Sequence, residues 1–330
     1  MSLIEQLFGS FSNFRVSVIG DVMLDTYLWG HVERISPEAP VPIVTVDRKE
    51  QRIGGAGNVA LNLVALGART SIFSVIGADS SGNDLTTLFK KNSIDTEGLV
   101  VSRERITTEK TRIISRNQQM LRLDQEHTDV LSSPDESALL QRFEDHVRKN
   151  APDVVIFEDY DKGVLTPKMI RSLLTLCQEK GIFTAVDPKR RSFFDYQGVG
   201  LFKPNLKEVR EALNKLPEPV SLASLSAMHG LLEKKLSHSI SLITLSEHGI
   251  YYQKANDAAI MPSHVRNIAD VSGAGDTVIA VAALVYRASN DVRLMAALAN
   301  LAGGLVCEEV GTVAINKQKL LREAMLLPEK

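Results

Sequence analysis

Short apolar runs alternate with amphipathic segments along most of the chain. The runs predict buried strands and occur at 15–19, 71–76, 154–157, 182–186, 201–202 and 241–245. Segments with the helical spacing of apolar residues lie between them, at 58–66, 167–180, from 205 onward, at 276–288 and at 291–308. Strands that alternate with helices predict a mostly parallel sheet, covered by helices on both faces and connected by right-handed crossovers. The predicted fold class is therefore α/β.

Two segments interrupt this alternation. Residues 31–53 contain three prolines and then a β-rich run, and residues 99–124 contain two β-rich runs separated by a polar stretch, which is typical of a hairpin. Neither segment has a helix between its strands. We interpret them as a small β-sheet lid that projects from one domain spanning 1–330. A lid of this kind either covers a site or pairs with a second copy of the chain.

The charge balance excludes some classes of function. The 330 residues carry 38 Lys and Arg against 40 Asp and Glu, a net charge of −2, whereas a nucleic-acid-binding protein needs a basic surplus. The longest apolar stretch, 278–286, is shorter than the ~20 residues that span a bilayer, and no basic start of a signal peptide precedes Arg15. We therefore expect a cytoplasmic protein with no nucleic-acid or membrane partner. Its two cysteines, Cys177 and Cys307, are expected to be free thiols.

The most specific local signal is the segment 270–276, Asp-Val-Ser-Gly-Ala-Gly-Asp, which leads directly into a helix. The amides of Gly273, Ala274 and Gly275 would point at an anion, because a helix N-terminus has unpaired donors and a favourable dipole. Asp276 would take the proton of an attacking hydroxyl while these amides hold a phosphoryl group. The alternative is an ordinary glycine turn, in which Asp276 is only a favourable charge at the helix start.

Two further segments would bind a hydroxyl-rich ligand. The run 54–58, Gly-Gly-Ala-Gly-Asn, lets the backbone at Gly55 approach a ligand while the Asn58 amide hydrogen-bonds to it. Asp21 and Asp25 follow the first strand, at the edge where open α/β sheets bind ligands. Asp25 would accept sugar hydroxyls, and Asp21 would equally serve a turn. The glycines at 54–58 fit a dinucleotide-binding fingerprint poorly, and the sequence contains no Walker A motif. If the chain binds ATP, the turn at 273–276 is therefore the candidate site for its phosphates.

Together and in this order, these segments resemble the ribokinase-like (PfkB-type) carbohydrate kinases. The resemblance extends from about residue 15 to residue 311, with one family signature at 54–58 and the second at 270–276. It implies a three-layer sandwich with a mostly parallel central sheet and a small β-sheet lid, with ATP and Mg²⁺ as cofactors. The apolar lid strand 43–46 adds the expectation of a homodimer formed through the lid.

A narrower resemblance links the chain to the D-glycero-β-D-manno-heptose-7-phosphate kinases. It rests on residues 20–25, 34–42, 115–124 and 187–189. It implies phosphorylation at C1 to the 1,7-bisphosphate that leads to ADP-heptose and the lipopolysaccharide core. Some relatives add a nucleotidyltransferase domain with a His-x-Gly-His motif, which is absent from this sequence, so we expect the stand-alone kinase.

The resemblance implies roles for individual residues. Asp25, Asn58 and the Gly55 backbone would orient the sugar. Between residues 103 and 122, six Lys and Arg stand against two Glu, a basic excess that suits a sugar phosphate. The residues expected to hold that phosphate, or to close over the sugar, are Arg116, Asn117, Gln118, Arg122 and Lys189.

The resemblance also implies which residues bind the nucleotide and its metal ion. Asn205 and Glu208 would organise Mg²⁺, through water, because this ion keeps much of its hydration shell. The residues expected along the nucleotide are Asn205, Ser246, Gly249, Gly275 and Asn300. K⁺ is a further candidate ion, since a loop such as 266–270 beside 304–311 holds it in some relatives, although no side chain here argues for it.

Other functions remain open at this point. The chain could be another ribokinase-like kinase that acts on ribose, a fructose phosphate or a nucleoside. It could also be a non-catalytic sugar-sensing module on the same fold, although the intact Asp276 argues against this. A dehydrogenase is the least favoured of these alternatives.

Overall fold

Two β-sheets organise the chain, and the computed structural model describes residues 2–116, 118–264 and 266–327. The thirteen strands within these ranges are β1 (Arg15–Gly20), β2 (Val22–Ile35), β3 (Pro42–Gly55), β4 (Arg69–Gly77), β5 (Asp95–Ser102), β6 (Glu109–Ser115), β7 (Gln118–Gln125), β8 (Val154–Glu158), β9 (Phe183–Asp187), β10 (Leu201–Phe202), β11 (Ile240–Thr244), β12 (Ile250–Lys254) and β13 (Asp257–Met261). The ten α-helices within the same ranges are α1 (Leu3–Ser10), α2 (Ala56–Leu66), α3 (Ser80–Lys91), α4 (Ser133–Asn150), α5 (Pro167–Glu179), α6 (Leu206–Ala212), α7 (Leu222–Leu236), α8 (Ala274–Ser289), α9 (Val292–Val306) and α10 (Lys317–Ala324).

The large sheet has nine strands in the order β13-β12-β11-β10-β9-β8-β1-β4-β5. Neighbours from β11 to β5 are parallel, whereas β12 and β13 are antiparallel additions at one edge. Alternate residues of β8 face opposite sides. Val154 and Ile156 join an apolar core with α2, α8 and α9, and Val155 and Phe157 join a second core with α4, α5 and α7. The predicted α/β class, with helices on both faces of the sheet, is confirmed.

Local signals account for the helix ends. α2 ends at Gly67, whose φ of 104° lies in the left-handed region that favours glycine and whose amide donates to the Leu63 and Val64 carbonyls. α5 begins with Pro167 after Thr166, whose side chain accepts from the Met169 amide. None of the helices within the described ranges combines the length and apolar composition needed to cross a bilayer.

The lid is the four-stranded small sheet, in the order β3-β2-β6-β7. Its central pair, β2 and β6, is parallel, and the two outer pairs are antiparallel hairpins. The lid starts earlier than the sequence indicated, because β2 follows β1 after the single residue Asp21. Residues 99–102 end β5 and pair with β4 in the large sheet, so the second lid segment begins at Glu109.

Candidate active site

The carboxyl ends of three neighbouring strands meet the first turn of α8. In-register pairing sets Glu158, the last residue of β8, between Gly20 at the end of β1 and Asp187 at the end of β9. Asp276 lies in the first turn of α8 and is buried. Because open α/β sheets bind ligands beyond the carboxyl ends of their strands, this edge is the candidate active site.

Asp276 is held by one donor on each carboxylate oxygen. Asn58 Nδ2 donates to Oδ2 at 2.8 Å, and the Tyr160 hydroxyl donates to Oδ1 at 2.7 Å. Burial raises the pKa of Asp276 to about 6, against the lowering effect of these two hydrogen bonds. The carboxylate is therefore ionised at neutral pH, and its pKa is close enough to that pH for it to accept a proton readily.

Gly273, in the turn before Asp276, leaves no room for a side chain. Gly273 has a φ of +77°, and a Cβ added there would lie 2.7 Å from Asn58 Nδ2. The Asp270 carboxylate holds the turn, because Oδ1 accepts from the Ser272 amide and Oδ2 from the Gly311 amide, each at 2.9 Å. The Ala274 amide donates to the Val271 carbonyl at 3.3 Å, so this one of the three predicted amides already has a partner inside the turn.

Asp25 and Gly55 lie together on the lid side of the site. Asp25 is a buried residue of β2, and its Oδ1 accepts from Arg112 Nη1 at 2.5 Å. A Cβ on Gly54 would lie 2.3 Å from Asp25 Oδ2, which explains a glycine opposite this carboxylate. Gly55 has a φ of +61° and precedes α2, which carries Asn58 to Asp276.

Asp21 has a structural role. Its carboxylate accepts from the backbone amides of Tyr160, Lys162 and Val164, at 2.9, 3.1 and 3.1 Å. These bonds hold the loop after β8 against the start of β2. Of the two aspartates after the first strand, this leaves Asp25 as the candidate for the ligand.

Three carboxylates and two lysines form the floor of the site. Carboxylate oxygens of Glu158, Asp187 and Asp276 lie within 4.8 Å of one another. Although burial alone would raise it, the charges of Lys189 and Lys203 hold the pKa of Asp187 below its ordinary value, and Lys203 Nζ lies 2.8 Å from Asp187 Oδ2. The lysines of the chain therefore already provide positive charge to the three carboxylates, and the cluster fits a metal ion poorly.

Glu158 differs from the other two carboxylates. It is fully buried, and neither of its carboxyl oxygens has a hydrogen-bond partner among the described residues. Burial, and then the charges of Asp187 and Asp276, raise the pKa of Glu158 well above its ordinary value. Burial and the two neighbouring charges thus favour the neutral carboxyl of Glu158 more than water favours it for a solvated glutamate.

Asn205 and Glu208 form a capping box at the start of α6. Asn205 Oδ1 accepts from the Glu208 amide at 2.9 Å, and Glu208 Oε2 accepts from the Asn205 amide at 2.8 Å. The other oxygen, Oε1, accepts from Lys189 Nζ at 3.0 Å. A carboxylate engaged in this way fits a hydrated divalent cation through water better than direct ligation.

The remaining basic residues predicted for a phosphate lie on the β6–β7 hairpin. Arg122 is half exposed, and its Nε lies 2.9 Å from Asp124 Oδ1. Arg116 and Gln118 are exposed, and Arg116 has a φ of 49°. Asn117 lies outside the described residues. Lys189, the other basic residue predicted for the phosphate, follows β9 and donates to Glu208.

Three of the predicted nucleotide residues lie at or just after the end of β11, namely Asn205, Ser246 and Gly249. Asn205 bridges Thr244, and Ser246 follows in a short 3₁₀ turn with a φ of 53°, a conformation that glycine adopts more easily. A Cβ on Gly249 would lie 2.0 Å from the Met261 carbonyl oxygen. Asn300 Nδ2 donates to the Pro262 carbonyl at 2.8 Å, which ties α9 to the loop after β13.

Sequence reasoning missed several residues that contact the site. Tyr160 bonds the Asp276 carboxylate, and the Lys189 ammonium lies 5.5 Å from the Tyr160 ring centroid. Arg112 pairs with Asp25. The position of Tyr160 could have indicated its role, because residues 158–160 directly follow the apolar run of β8, at the strand end where ligands bind.

The chain matches the model of the pfkB family carbohydrate kinases over residues 13–319. It is 40% identical over 312 residues to the Bifunctional protein HldE of Desulfatibacillum aliphaticivorans, which covers 94% of this chain and 63% of that protein. It is 41% identical over 313 residues to the Bifunctional protein HldE of Caulobacter sp. (strain K31), with coverages of 94% and 63%. The chain thus spans about 63% of the length of these curated relatives.

Solved structures share the fold. Phosphofructokinase-2 from Escherichia coli, in complex with potassium, superposes with a TM-score of 0.78 at 16% identity, covering 94% of this chain and 99% of that one. A putative ribokinase from Agrobacterium tumefaciens gives a TM-score of 0.72 at 19% identity, with coverages of 96% and 99%. These similarities confirm the predicted ribokinase-like sandwich with its small β-sheet lid.

Proposed function

Because the chain belongs to the pfkB family of carbohydrate kinases, we propose that it phosphorylates the C1 hydroxyl of D-glycero-β-D-manno-heptose 7-phosphate. The chain is an enzyme that phosphorylates a sugar, and family membership implies ATP and a divalent cation. The heptose is supported by the resemblance of segments 34–42 and 115–124 to heptose-7-phosphate kinases, and by relatives at 40% and 41% identity named HldE. The 1,7-bisphosphate product would serve ADP-heptose and lipopolysaccharide core synthesis.

The geometry of Asp276 carries the proposal. Its two oxygens each accept one hydrogen bond, from Asn58 and Tyr160, and each keeps lone-pair capacity for a sugar hydroxyl. With a pKa of about 6, the carboxylate accepts the hydroxyl proton as the oxygen attacks the phosphoryl group. Catalysis would then be mainly positioning and electrostatics, as phosphoryl transfer requires.

The neighbouring residues would orient the two substrates. Asp25, fixed by Arg112, would accept sugar hydroxyls, and the Gly273 and Gly275 amides at the start of α8 would oppose the charge of the transferring group. Glu208 would hold the divalent cation through water. When bound, Mg²⁺ would supply charge neutralisation between the phosphates of ATP.

We also propose that the lid forms a homodimer. In-register pairing brings Leu28, Ile113 and Leu121 to the lid face opposite Asp25, with Leu123 beside them. Leu121 and Leu123 are each 52% exposed, on the edge strand β7. Sedimentation of the wild type as a dimer, and of Leu121→Glu as a monomer, would support this assembly. A monomeric wild type at micromolar concentration would contradict it.

Coupled ADP release across a substrate panel tests the function. We expect kcat/KM for heptose 7-phosphate to exceed that for fructose 6-phosphate, ribose and adenosine by at least about 100-fold, which is a lower bound because a site built around hydrogen bonds can discriminate by roughly 10⁴–10⁵-fold. A higher value for another sugar would reassign the kinase within its family. Background ADP release with all of them would favour a sugar-sensing module. Repeating the assay in KCl and NaCl tests K⁺, which we propose as an activating ion at the 266–270 loop.

A further inference from the structure

One face of the lid, which we call the inner face, carries a row of charged residues above the site. Strand register sets Arg52, Asp25, Lys110 and Asp124 side by side across β3, β2, β6 and β7. Side chains of directly paired residues point to the same face of a sheet. Lys110 therefore shares the inner face with Asp25, the candidate sugar ligand.

The carboxylates around Lys110 already have other cations. Asp25 Oδ1 accepts from Arg112 at 2.5 Å. Arg122 Nε lies 2.9 Å from Asp124 Oδ1, and Lys162 Nζ lies 2.8 Å from Glu126 Oε1. Each negative charge near Lys110 is thus balanced by a different positive one.

Lys110 itself lacks such a partner. Within residues 2–116, 118–264 and 266–327, no carboxylate oxygen lies within 4.0 Å of its ammonium group. Lys110 is half-buried, and burial first, then the nearby charge of Lys162, lowers its pKa, against the raising effect of Asp25. A partly desolvated ammonium without a counter-charge is destabilising, and an anionic ligand would relieve that cost.

The position of Lys110 relates it to the reacting atoms. Its Nζ lies 6.0 Å from the centroid of the Tyr160 ring, and the hydroxyl of the same ring donates to Asp276 at 2.7 Å. One aromatic ring thus separates the candidate base from the unpaired cation. A small ligand whose hydroxyl reaches Asp276 can carry an anionic group to Lys110.

We propose that Lys110 is the principal anchor for the phosphomonoester of a phosphorylated sugar bound under the lid. This inference rests on the proposed function, since it assumes that the sugar hydroxyl meets Asp276. It differs from the assignment expected from the sequence, which gave the phosphate to Arg116, Arg122 and Lys189. Arg122 and Lys189 are each held by carboxylates of this chain, whereas the Lys110 ammonium is available for a ligand.

The test compares the phosphorylated and unphosphorylated forms of the same sugar. For Lys110→Ala we expect KM for the sugar phosphate to rise on the order of 10- to 100-fold, because a charge-assisted hydrogen bond is lost. KM for ATP and for the unphosphorylated sugar should change by less than about 2-fold, given the specificity of that contact. Lys110→Arg should recover part of the loss, and Lys91→Ala, at the exposed end of α3, is the matched control.

Several results would overturn the inference. They are an equal rise in KM for both forms of the sugar, a rise confined to ATP, or a larger effect of Arg122→Ala than of Lys110→Ala. If Lys110→Ala does not fold, Lys110→Gln provides the same comparison with a polar chain of similar length. If the wild type prefers a different sugar phosphate, the proposed heptose fails while the Lys110 comparison is made with that substrate. Preference for unphosphorylated sugars would refute the anchor itself.

Discussion

Replacing Asp276 by Asn should stop catalysis and stabilise the fold at neutral pH. The substitution keeps the size of the side chain and an oxygen that accepts from the Tyr160 hydroxyl. It removes the proton acceptor, for which a loss in kcat on the order of 10²–10⁴-fold is typical. It also removes a buried negative charge whose presence is costly to the folded state.

The size of the stabilisation follows from the pKa. A rise from 3.8 to about 6 means that ionised Asp276 destabilises the folded state by roughly 3 kcal/mol, at about 1.4 kcal/mol for each unit of pKa. This cost is absent below pH 3.8, where both states bind the proton, increases between pH 3.8 and 6, and is complete above pH 6. In the variant, the new amide group would face the Asn58 amide, so that two donors oppose each other. This repulsion would reduce the stabilisation by about 1 kcal/mol.

Urea unfolding at two pH values measures this effect. At pH 8 we expect Asp276→Asn to be about 2 kcal/mol more stable than the wild type, and at pH 5 the difference should shrink by more than half. Asp84→Asn, at an exposed aspartate of α3, is the control and should change little at either pH. A variant that is less stable than the wild type at pH 8, or whose stability differs from that of the wild type by the same amount at both pH values, would show that ionised Asp276 does not destabilise the fold.

Three further predictions concern the same site. Glu158→Gln should keep the free energy of unfolding at pH 7 within about 1 kcal/mol of the wild type, because burial and the charges of Asp187 and Asp276 raise the pKa of Glu158 and so favour the neutral form that Gln mimics. A larger loss in urea unfolding would mean that the charged form is held. Wild-type kcat/KM should decline as the pH falls below about 6, because Asp276 is then protonated and cannot act as the base. A pH profile that stays flat from pH 8 to 5 would exclude Asp276 as the base. Arg52→Ala should speed amide hydrogen exchange at residues 310–312 and lower kcat, because Arg52 Nη1 donates to the Val310 and Thr312 carbonyls at 2.9 and 3.3 Å. Unchanged exchange at these residues would show that the lid does not hold this loop.

Much of the large sheet was predictable because its strands are buried on both faces. A parallel strand covered on both sides needs a continuous apolar run, and residues 154–157 have that pattern. Turn chemistry at Gly67 and Thr166 marked two helix ends. Strand order was beyond reach, since it depends on pairings between distant segments such as β1 with β8.

The lid bounds were not predictable from local patterns. Val22 to Leu24 form an apolar run directly after β1, with only Asp21 between them, so the sequence shows no break where the chain passes from one sheet to the other. The opposite case occurs at 99–102, where an apolar run that looks like lid sequence completes β5. Sheet membership is set by partners, and single strands do not reveal it.

For the site, the sequence identified residue types better than it identified partners. Asn58 and Asp276 were predicted from separate glycine segments, and the structure joins them by a hydrogen bond. Tyr160 was missed because its role depends on the loop after β8 folding back towards α8. The charge of Lys189 was evident, but its two carboxylate partners were not, because they come from β9 and α6.

The position of the new phosphate on the sugar decides whether the chain is a C1 kinase with Asp276 as its base. Phosphorus NMR of a reaction with heptose 7-phosphate and ATP should show one new phosphate on C1 with wild-type protein and none with Asp276→Asn, while nucleotide binding by that variant persists. A new phosphate on another carbon, or turnover by Asp276→Asn within about 10-fold of the wild type, where removal of a base typically costs 10²–10⁴-fold, would contradict the account.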